Sequence, residues 1–277
     1  IIALWLSNQA DLDFLRIKMM ATFKTLKGML DSGSPWVVAH RGDSRFCPEN
    51  TMSAFRSAME KGAEMIECDI HLSRDRVPVV IHDSSLDRTT NGSGNIVERD
   101  LKELSQLDCG SWFSEQFSGE TLPKLEQLLE EASGKILLNL EIKSKAVESE
   151  ERTDGVESQV CEMVHAFGLE EQVLVSSFHH SCLNRVRKHK YSLPVAPLLE
   201  RPASFAELKK LNQTYDSFSI HTDEKHVDQQ LLREMQESGI PLLCYTVNDP
   251  VRMKELFDWG LTGIISDDPG LLKKSIS

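Results

Sequence analysis

Three short stretches of the chain place ionisable side chains where a buried strand would ordinarily exclude them. His40-Arg41-Gly42 ends an apolar run that starts at Trp36. The imidazole can move a proton near neutral pH, the guanidinium can grip an anion through two parallel hydrogen bonds, and the glycine permits close backbone approach. Glu67-Cys68-Asp69 follows Met65-Ile66; residues two apart on a strand share a face, so both carboxylates point the same way and Cys68 points away from them. Glu141-Ile142-Lys143 closes another apolar run and repeats the device with one acid and one base. Three carboxylates at one sheet end suit a single divalent cation that prefers oxygen, Mg²⁺ or Ca²⁺, better than zinc. Arg41 and Lys143 beside such a centre call for an anionic substrate carrying a phosphate. His82 brings a second imidazole to the same rim, and two histidines, one as base and one as acid, can serve an in-line displacement at phosphorus. Each stretch alone also has a plainer reading, a strand end whose charged groups are simply solvated.

These residues need a scaffold that collects strand ends. Nine apolar runs are strand candidates: Trp36–Arg41, Ala63–Asp69, Val77–His82, Ile136–Ile142, Val173–Phe178, Pro194–Leu199, Ser217–His221, Pro241–Val247 and Thr262–Ser266. Between them lie amphipathic stretches that read as helices, and this alternation predicts an α/β fold with a parallel sheet. The third run follows the second too closely for a parallel crossover, so the two form an antiparallel hairpin. With its turn at Arg74–Val77, Ser73 faces Pro78 and Asp69 faces His82. Eight parallel strands remain, and the roughly 240 residues from Pro35 to Ser277 match the size of a (β/α)₈ TIM barrel. The excursion between His82 and Ile136 contains an insertion at about 84–122, which would stand on the catalytic face as a lid or side wall. Residues 1–34 read as an N-terminal helical appendage, ending in the breaker cluster Asp31-Ser32-Gly33-Ser34-Pro35.

Composition narrows the function further. A net charge of −12 gives no footing for a phosphate backbone, so nucleic acid is not expected as a partner. No apolar run approaches the ~20 residues of a membrane span, so no stable membrane insertion is expected. The six cysteines form no CxxC pair and are read as buried, reduced thiols of a cytoplasmic protein. The remaining histidines, among them His71, His179 and His180, have structural readings, with His221 a candidate to line the pocket.

Ala39-His40-Arg41-Gly42, Pro48-Glu49-Asn50-Thr51, Ile66-Glu67-Cys68-Asp69, the stretch from His82-Asp83 through Arg88-Thr89-Thr90-Asn91-Gly92, Glu141-Ile142-Lys143, Ser176-Ser177-Phe178, Tyr245-Thr246-Val247-Asn248 and Ile265-Ser266-Asp267 resemble, in order and spacing, the glycerophosphodiester phosphodiesterase family, most closely its bacterial cytoplasmic type. The resemblance runs from Trp36 to about Leu272. It implies a barrel related to phosphatidylinositol-specific phospholipase C, a divalent metal, and hydrolysis of a small glycerophosphodiester to glycerol 3-phosphate and an alcohol. By the same resemblance Glu67, Asp69 and Glu141 match the metal ligands, His40 and His82 the acid/base pair, Arg41 the phosphate-binding arginine and Lys143 a second phosphate contact. Phe178 and Tyr245 match a wall against the glycerol and head group, with Tyr245 standing where the family more often has tryptophan. Glu49 either caps the helix that follows or orients Arg41 or the metal. The nucleophile, the substrate's 2-hydroxyl or a water, and the identity of the first base stay open. Two other readings share these residues: a lysophospholipase D or sphingomyelinase D-like phosphodiesterase, and a non-catalytic barrel that binds a phosphodiester.

Overall fold

A parallel strand covered on both faces must be apolar almost throughout, whereas the helix that covers it need bury only one side. A computed structural model of the chain, which describes residues 24–149 and 152–276, turns that alternation into a closed barrel. The strands β1 (Trp36–His40), β2 (Met65–Leu72), β4 (Leu137–Ile142), β5 (Val173–Ser177), β6 (Val195–Leu199), β7 (Ile220–Asp223), β8 (Leu242–Tyr245) and β9 (Gly263–Ser266) run parallel, and β1 pairs with both β2 and β9 to close the ring. The helices α2 (Met52–Glu60), α4 (Leu125–Ala132), α5 (Val156–Phe167), α6 (His180–Lys188), α7 (Phe205–Tyr215), α8 (Gln229–Ser238), α9 (Pro250–Asp258) and α10 (Pro269–Ser275) alternate with the strands. Their starts are written locally: the Thr51 hydroxyl accepts from the Ala54 N–H, and the Asp228 and Asp268 carboxylates do the same for α8 and α10. The architecture is a (β/α)₈ barrel, and none of its described helices is long and apolar enough to cross a membrane.

The antiparallel strand β3 (Pro78–Val80) pairs with the end of β2, but one residue out of the expected register. Leu72 faces Pro78 and Ile70 faces Val80. Arg76 takes the left-handed conformation, φ 67°, and closes the loop Arg74-Asp75-Arg76, so the Ser73 N–H donates to Val77 O at 3.0 Å. Asp69 is therefore opposite Ile81, not His82, and the Ile81 N–H donates to its carbonyl. His82 lies one residue beyond the ladder, at the rim.

Strand register sorts the inward side chains into layers contributed by alternate strands. Trp36, Met65, Leu137, Leu174 and Leu243 fill the floor. Above them come Val38, Asn139 and Ala196, then Glu67, Ser176, His221 and Ile265, then His40, Glu141, Leu198 and Tyr245. Gly263 belongs to the floor for a steric reason, since a Cβ there would stand 2.8 Å from the Trp36 Cβ. The helical stretch expected over residues 1–34 lies outside the described residues up to residue 23. Beyond it, α1 (Leu26–Asp31) sets Leu26 and Met29 against the floor cluster, and the Leu26 N–H donates to Glu171 O at 2.8 Å.

The excursion after His82 carries α3 (Leu101–Leu104) and gathers around Leu86, Ile96, Leu104 and Leu122, which join Val79 and Ile81 in a small core of their own. The Asp108 carboxylate fixes its far end by accepting the N–H groups of Gly110, Ser111 and Gly119. His82 and Ser84, where the excursion leaves the barrel, line the cavity at the strand C-termini.

Candidate active site

The loop after β1 is the most constrained backbone at this end of the barrel. Arg41 takes a left-handed φ of 55°, a conformation that disfavours a side chain. Gly42 follows with φ 83°, and a Cβ there would stand 2.7 Å from Ala54. The turn is repaid in placement, because the Arg41 N–H donates to Glu67 Oε2 at 3.0 Å while its guanidinium reaches Glu49 Oε1 at 2.8 Å and Asp69 Oδ2 at 3.3 Å. Asn50, also left-handed at φ 58°, donates from Nδ2 to Asp69 Oδ2 at 2.8 Å.

Glu67, Asp69 and Glu141 come together as the spacing predicts. All three are buried, and one carboxylate oxygen from each lies within 4.8 Å of the others. Lys143 Nζ sits 2.6 Å from Glu141 Oε1 and 3.1 Å from Asp69 Oδ1. Burial together with the neighbouring carboxylates pushes Glu67 well above the usual carboxylate range. Burial and Asp69 raise Glu141 to about 7. Burial would raise Asp69 too, yet Lys143 and Arg41 hold it low. Three carboxylates against two cations, one of them shared with Glu49, leave a surplus of negative charge in a dry, oxygen-only site. That donor set fits a hard divalent cation.

Both candidate histidines are held from behind. His40 Nδ1 is 2.6 Å from Asp267 Oδ1, and His82 Nδ1 is 2.6 Å from Asp83 Oδ1. Since a carboxylate accepts, each Nδ1 carries the proton and Nε2 is the ring atom left for the pocket. The two carboxylates differ in their other partners. Asp267 accepts from neutral Asn248 and Ser44, at 2.6 and 3.1 Å. Asp83 faces the Arg88 guanidinium at 2.7 Å, which holds it down at about 2. Arg88 also bridges to Glu49, 2.8 Å away, so a continuous chain of ion pairs links His82, Asp83, Arg88, Glu49, Arg41 and Asp69. Glu49 thus orients Arg41, and Thr51 caps α2.

A cavity of about 490 Å³ opens above these groups, lined by His40, Arg41, His82 and Lys143 and by Phe178, Leu198, Glu200 and Tyr245. The Phe178 and Tyr245 rings meet edge to face, 5.9 Å between centroids, and the Tyr245 hydroxyl donates to Leu199 O at 2.7 Å. His71 reaches the cavity as well, its Nε2 3.2 Å from the His82 carbonyl, with burial lowering it to about 4. His221 lies a layer deeper, fully buried beside Ser219 at 3.0 Å, and is not on the cavity wall. His180 braces the Leu198 carbonyl at 2.8 Å instead. Asp83, Arg88, Asp267 and Asn50 carry no role in the sequence reading. Asp83 and Asp267 carry a signal, a carboxylate directly after a rim histidine or strand end; Arg88 and Asn50 carry none of that kind.

The sequence pattern of the Glycerophosphoryl diester phosphodiesterase family matches residues 40–271. The chain is 37% identical over 237 residues to a glycerophosphodiester phosphodiesterase of Caldanaerobacter subterraneus subsp. tengcongensis, covering 85% of this chain and 95% of that one. It is 32% identical over 251 residues to a glycerophosphodiester phosphodiesterase of Bacillus altitudinis, covering 84% and 94%. Among solved structures, an Oleispira antarctica phosphodiesterase in complex with the product sn-glycerol-3-phosphate superposes with a TM-score of 0.76 at 29% identity, over 89% of this chain and 98% of that one. Barrel, ordered motifs and full-length relatives agree: the chain belongs to the glycerophosphoryl diester phosphodiesterase family and is an enzyme of that family.

Proposed function

We propose that residues 35–277 form one catalytic barrel that hydrolyses glycerophosphodiesters to glycerol 3-phosphate and an alcohol. The observation that carries this reading is the convergence of two Asp-backed histidines, an arginine and a lysine on one buried carboxylate cluster. Glu67, Asp69 and Glu141 would hold one divalent cation, Mg²⁺ or Ca²⁺, and the cation when bound would supply Lewis-acid polarisation of a phosphate oxygen. Arg41 and Lys143 neutralise the phosphate and fix its orientation. One histidine takes the proton of the attacking oxygen and the other protonates the departing alcohol oxygen. Attack by a water gives glycerol 3-phosphate directly, whereas attack by the substrate's 2-hydroxyl gives a cyclic glycerophosphate that a water then opens, the two histidines exchanging roles.

The roles divide by environment. Burial, with Arg41 and Lys143 nearby, lowers His82, and its Asp83 shares its charge with Arg88, so His82 is the neutral base. Asp267, among the described residues, has no cationic side-chain partner besides His40. It fixes the His40 ring with Nε2 toward the pocket, and with His82 as base the acid role falls to His40. Six unpaired, buried thiols support a reducing compartment, the cytoplasm.

The test is release of glycerol 3-phosphate from a panel of glycerophosphodiesters by metal-stripped protein, with Mg²⁺, Ca²⁺ or nothing added back. Metal-dependent release that is absent in a Glu67→Gln variant is the expected result. Folded protein that releases nothing with either metal would overturn the reading and direct attention to acylated phosphodiesters.

A further inference from the structure

The cavity rim is chemically lopsided. Its charged catalytic groups come from β1, β2 and β4 and from the loop after β3, whereas the ends of β5, β6 and β8 contribute Phe178, Leu198, Glu200 and Tyr245. A phosphodiester held by Arg41 and Lys143 has two ester arms, and the arm that reaches across the cavity meets two aromatic rings and a carboxylate. Glu200 makes no ion pair among the described residues. Its neighbour Arg201 turns instead to Glu207, at 3.3 Å. Glu200 also acts on this wall electrostatically: after burial, its charge does most to raise the Tyr245 hydroxyl. Asp223, paired in register with Tyr245, adds a second negative charge behind the ring. Among the described residues, Lys145 is the one lysine or arginine on the cavity wall besides Arg41 and Lys143, on the loop after β4 that also carries Lys143.

Aromatic π-faces attract cations, and a carboxylate at the same rim adds charge attraction that a neutral head group cannot use. We propose that Glu200, with Phe178 and Tyr245, forms a head-group subsite selecting glycerophosphodiesters whose alcohol carries an ammonium charge. This inference rests on the function proposed above, and it names the alcohol that leaves. An ammonium group two carbons from the ester oxygen points away from Arg41 and Lys143, whose like charge repels it, and toward the opposite wall. A free polyol head group has no such preference between the two sides.

The experiment compares kcat/KM for three esters of glycerol 3-phosphate at low salt: the choline ester, the ethanolamine ester, and the 3,3-dimethylbutyl ester, a carbon isostere of choline without its charge. The expected result is a preference of about five- to ten-fold for the two charged esters, the scale of one exposed ion pair plus one cation–π contact. Glu200→Gln should bring the ratio to about two-fold or less, and so should raised salt, in part. Equal turnover of the charged and neutral esters by the unmodified enzyme would overturn the subsite, and so would a ratio untouched in the variant. In either case hydrolysis itself would stand. Turnover of none of the three would instead remove the function proposed above, and the subsite would then be decided by calorimetric titration with choline and with 3,3-dimethylbutanol. Choline heat that Glu200→Gln abolishes supports it; equal or absent heats from the two alcohols overturn it.

Discussion

The two ends of the barrel interior obey opposite rules. At the N-terminal end Trp36, Met65, Leu137, Leu174 and Leu243 pack into a dry floor, with Leu26 and Met29 of α1 beneath them and Trp36 stacked on Phe218 at 5.8 Å. Two residues further along the same strands the inward positions become Glu67, Asn139 and Ser176, and two further again Asp69 and Glu141. Both ends are buried, yet only the floor draws its stability from burial. Each apolar side chain there gains transfer free energy and dispersion. Each rim carboxylate loses hydration and gains it back only through a partner. The difference teaches that burial at the rim serves electrostatics: a low-dielectric wall strengthens the pull of Arg41, Lys143 and the carboxylates on whatever binds there.

Substitutions can break this division or sharpen it. The largest effect is expected from His82→Ala, about 10²–10⁴-fold in kcat by glycerol 3-phosphate release, with little change in the thermal melt; near-normal turnover would remove His82 from the acid/base pair. Floor truncation should do the reverse. Leu174→Ala should cost about 2–5 kcal/mol in denaturant unfolding, while kcat per folded molecule stays within about two-fold of the parent, because nothing at the floor touches the phosphate. Between these lies Asp267→Asn, which keeps the size of the side chain and loses the charge behind His40. We expect kcat to fall about 10–100-fold with KM nearly constant, and an equal loss in both parameters would mean that Asp267 shapes the pocket and does not tune the ring.

A smaller effect sharpens the boundary between the layers. Burial lowers His221 to about 3 from its ordinary 6.5. The unfolded chain therefore takes up a proton between those values that the folded chain refuses. Stability attributable to this residue is intact above pH about 6.5 and falls by about 1.4 kcal/mol per unit as the pH drops toward 3. Replacing it in His221→Gln should flatten that part of the acid limb in a pH series of melts; an unchanged limb would show that other groups govern it. The smallest effect has an unusual sign. In metal-free protein Glu67→Gln removes a carboxyl that burial and its two acidic neighbours disfavour, so the melt should rise by a few degrees, on the order of 1 kcal/mol, even as activity is lost. A lower melt would mean that the Glu67 contact to the Arg41 N–H outweighs the repulsion.

Much of the rim was legible because the ladder is local. Glu67 and Asp69 share a face by strand alternation, Cys68 points into the outer core by the same rule, and Glu141 stands beside Asp69 because β2 and β4 are neighbours in register. The hairpin was legible as a hairpin, but its register depended on the left-handed turn at Arg76, which no hydrophobic pattern encodes. The seventh strand was expected from Ser217 and begins at Ile220, since a short run bounded by polar residues leaves its ends undefined.

By itself the sequence determined what short-range rules can carry: nine apolar runs, the polarity switch at their C-terminal ends, and the identity of the charged groups gathered at the rim. Periodicity and charge are properties of neighbouring residues, so they survive in a linear reading. What only the tertiary structure decided are the partnerships that ring closure creates. His40 meets Asp267 across 227 positions of chain, and Arg88 meets Glu49 across 39. Glu200 lines the same cavity as Arg41 although β6 stands across the ring from β1. Such contacts depend on where a strand falls around a closed circle, and that position is set by the packing of the whole barrel together.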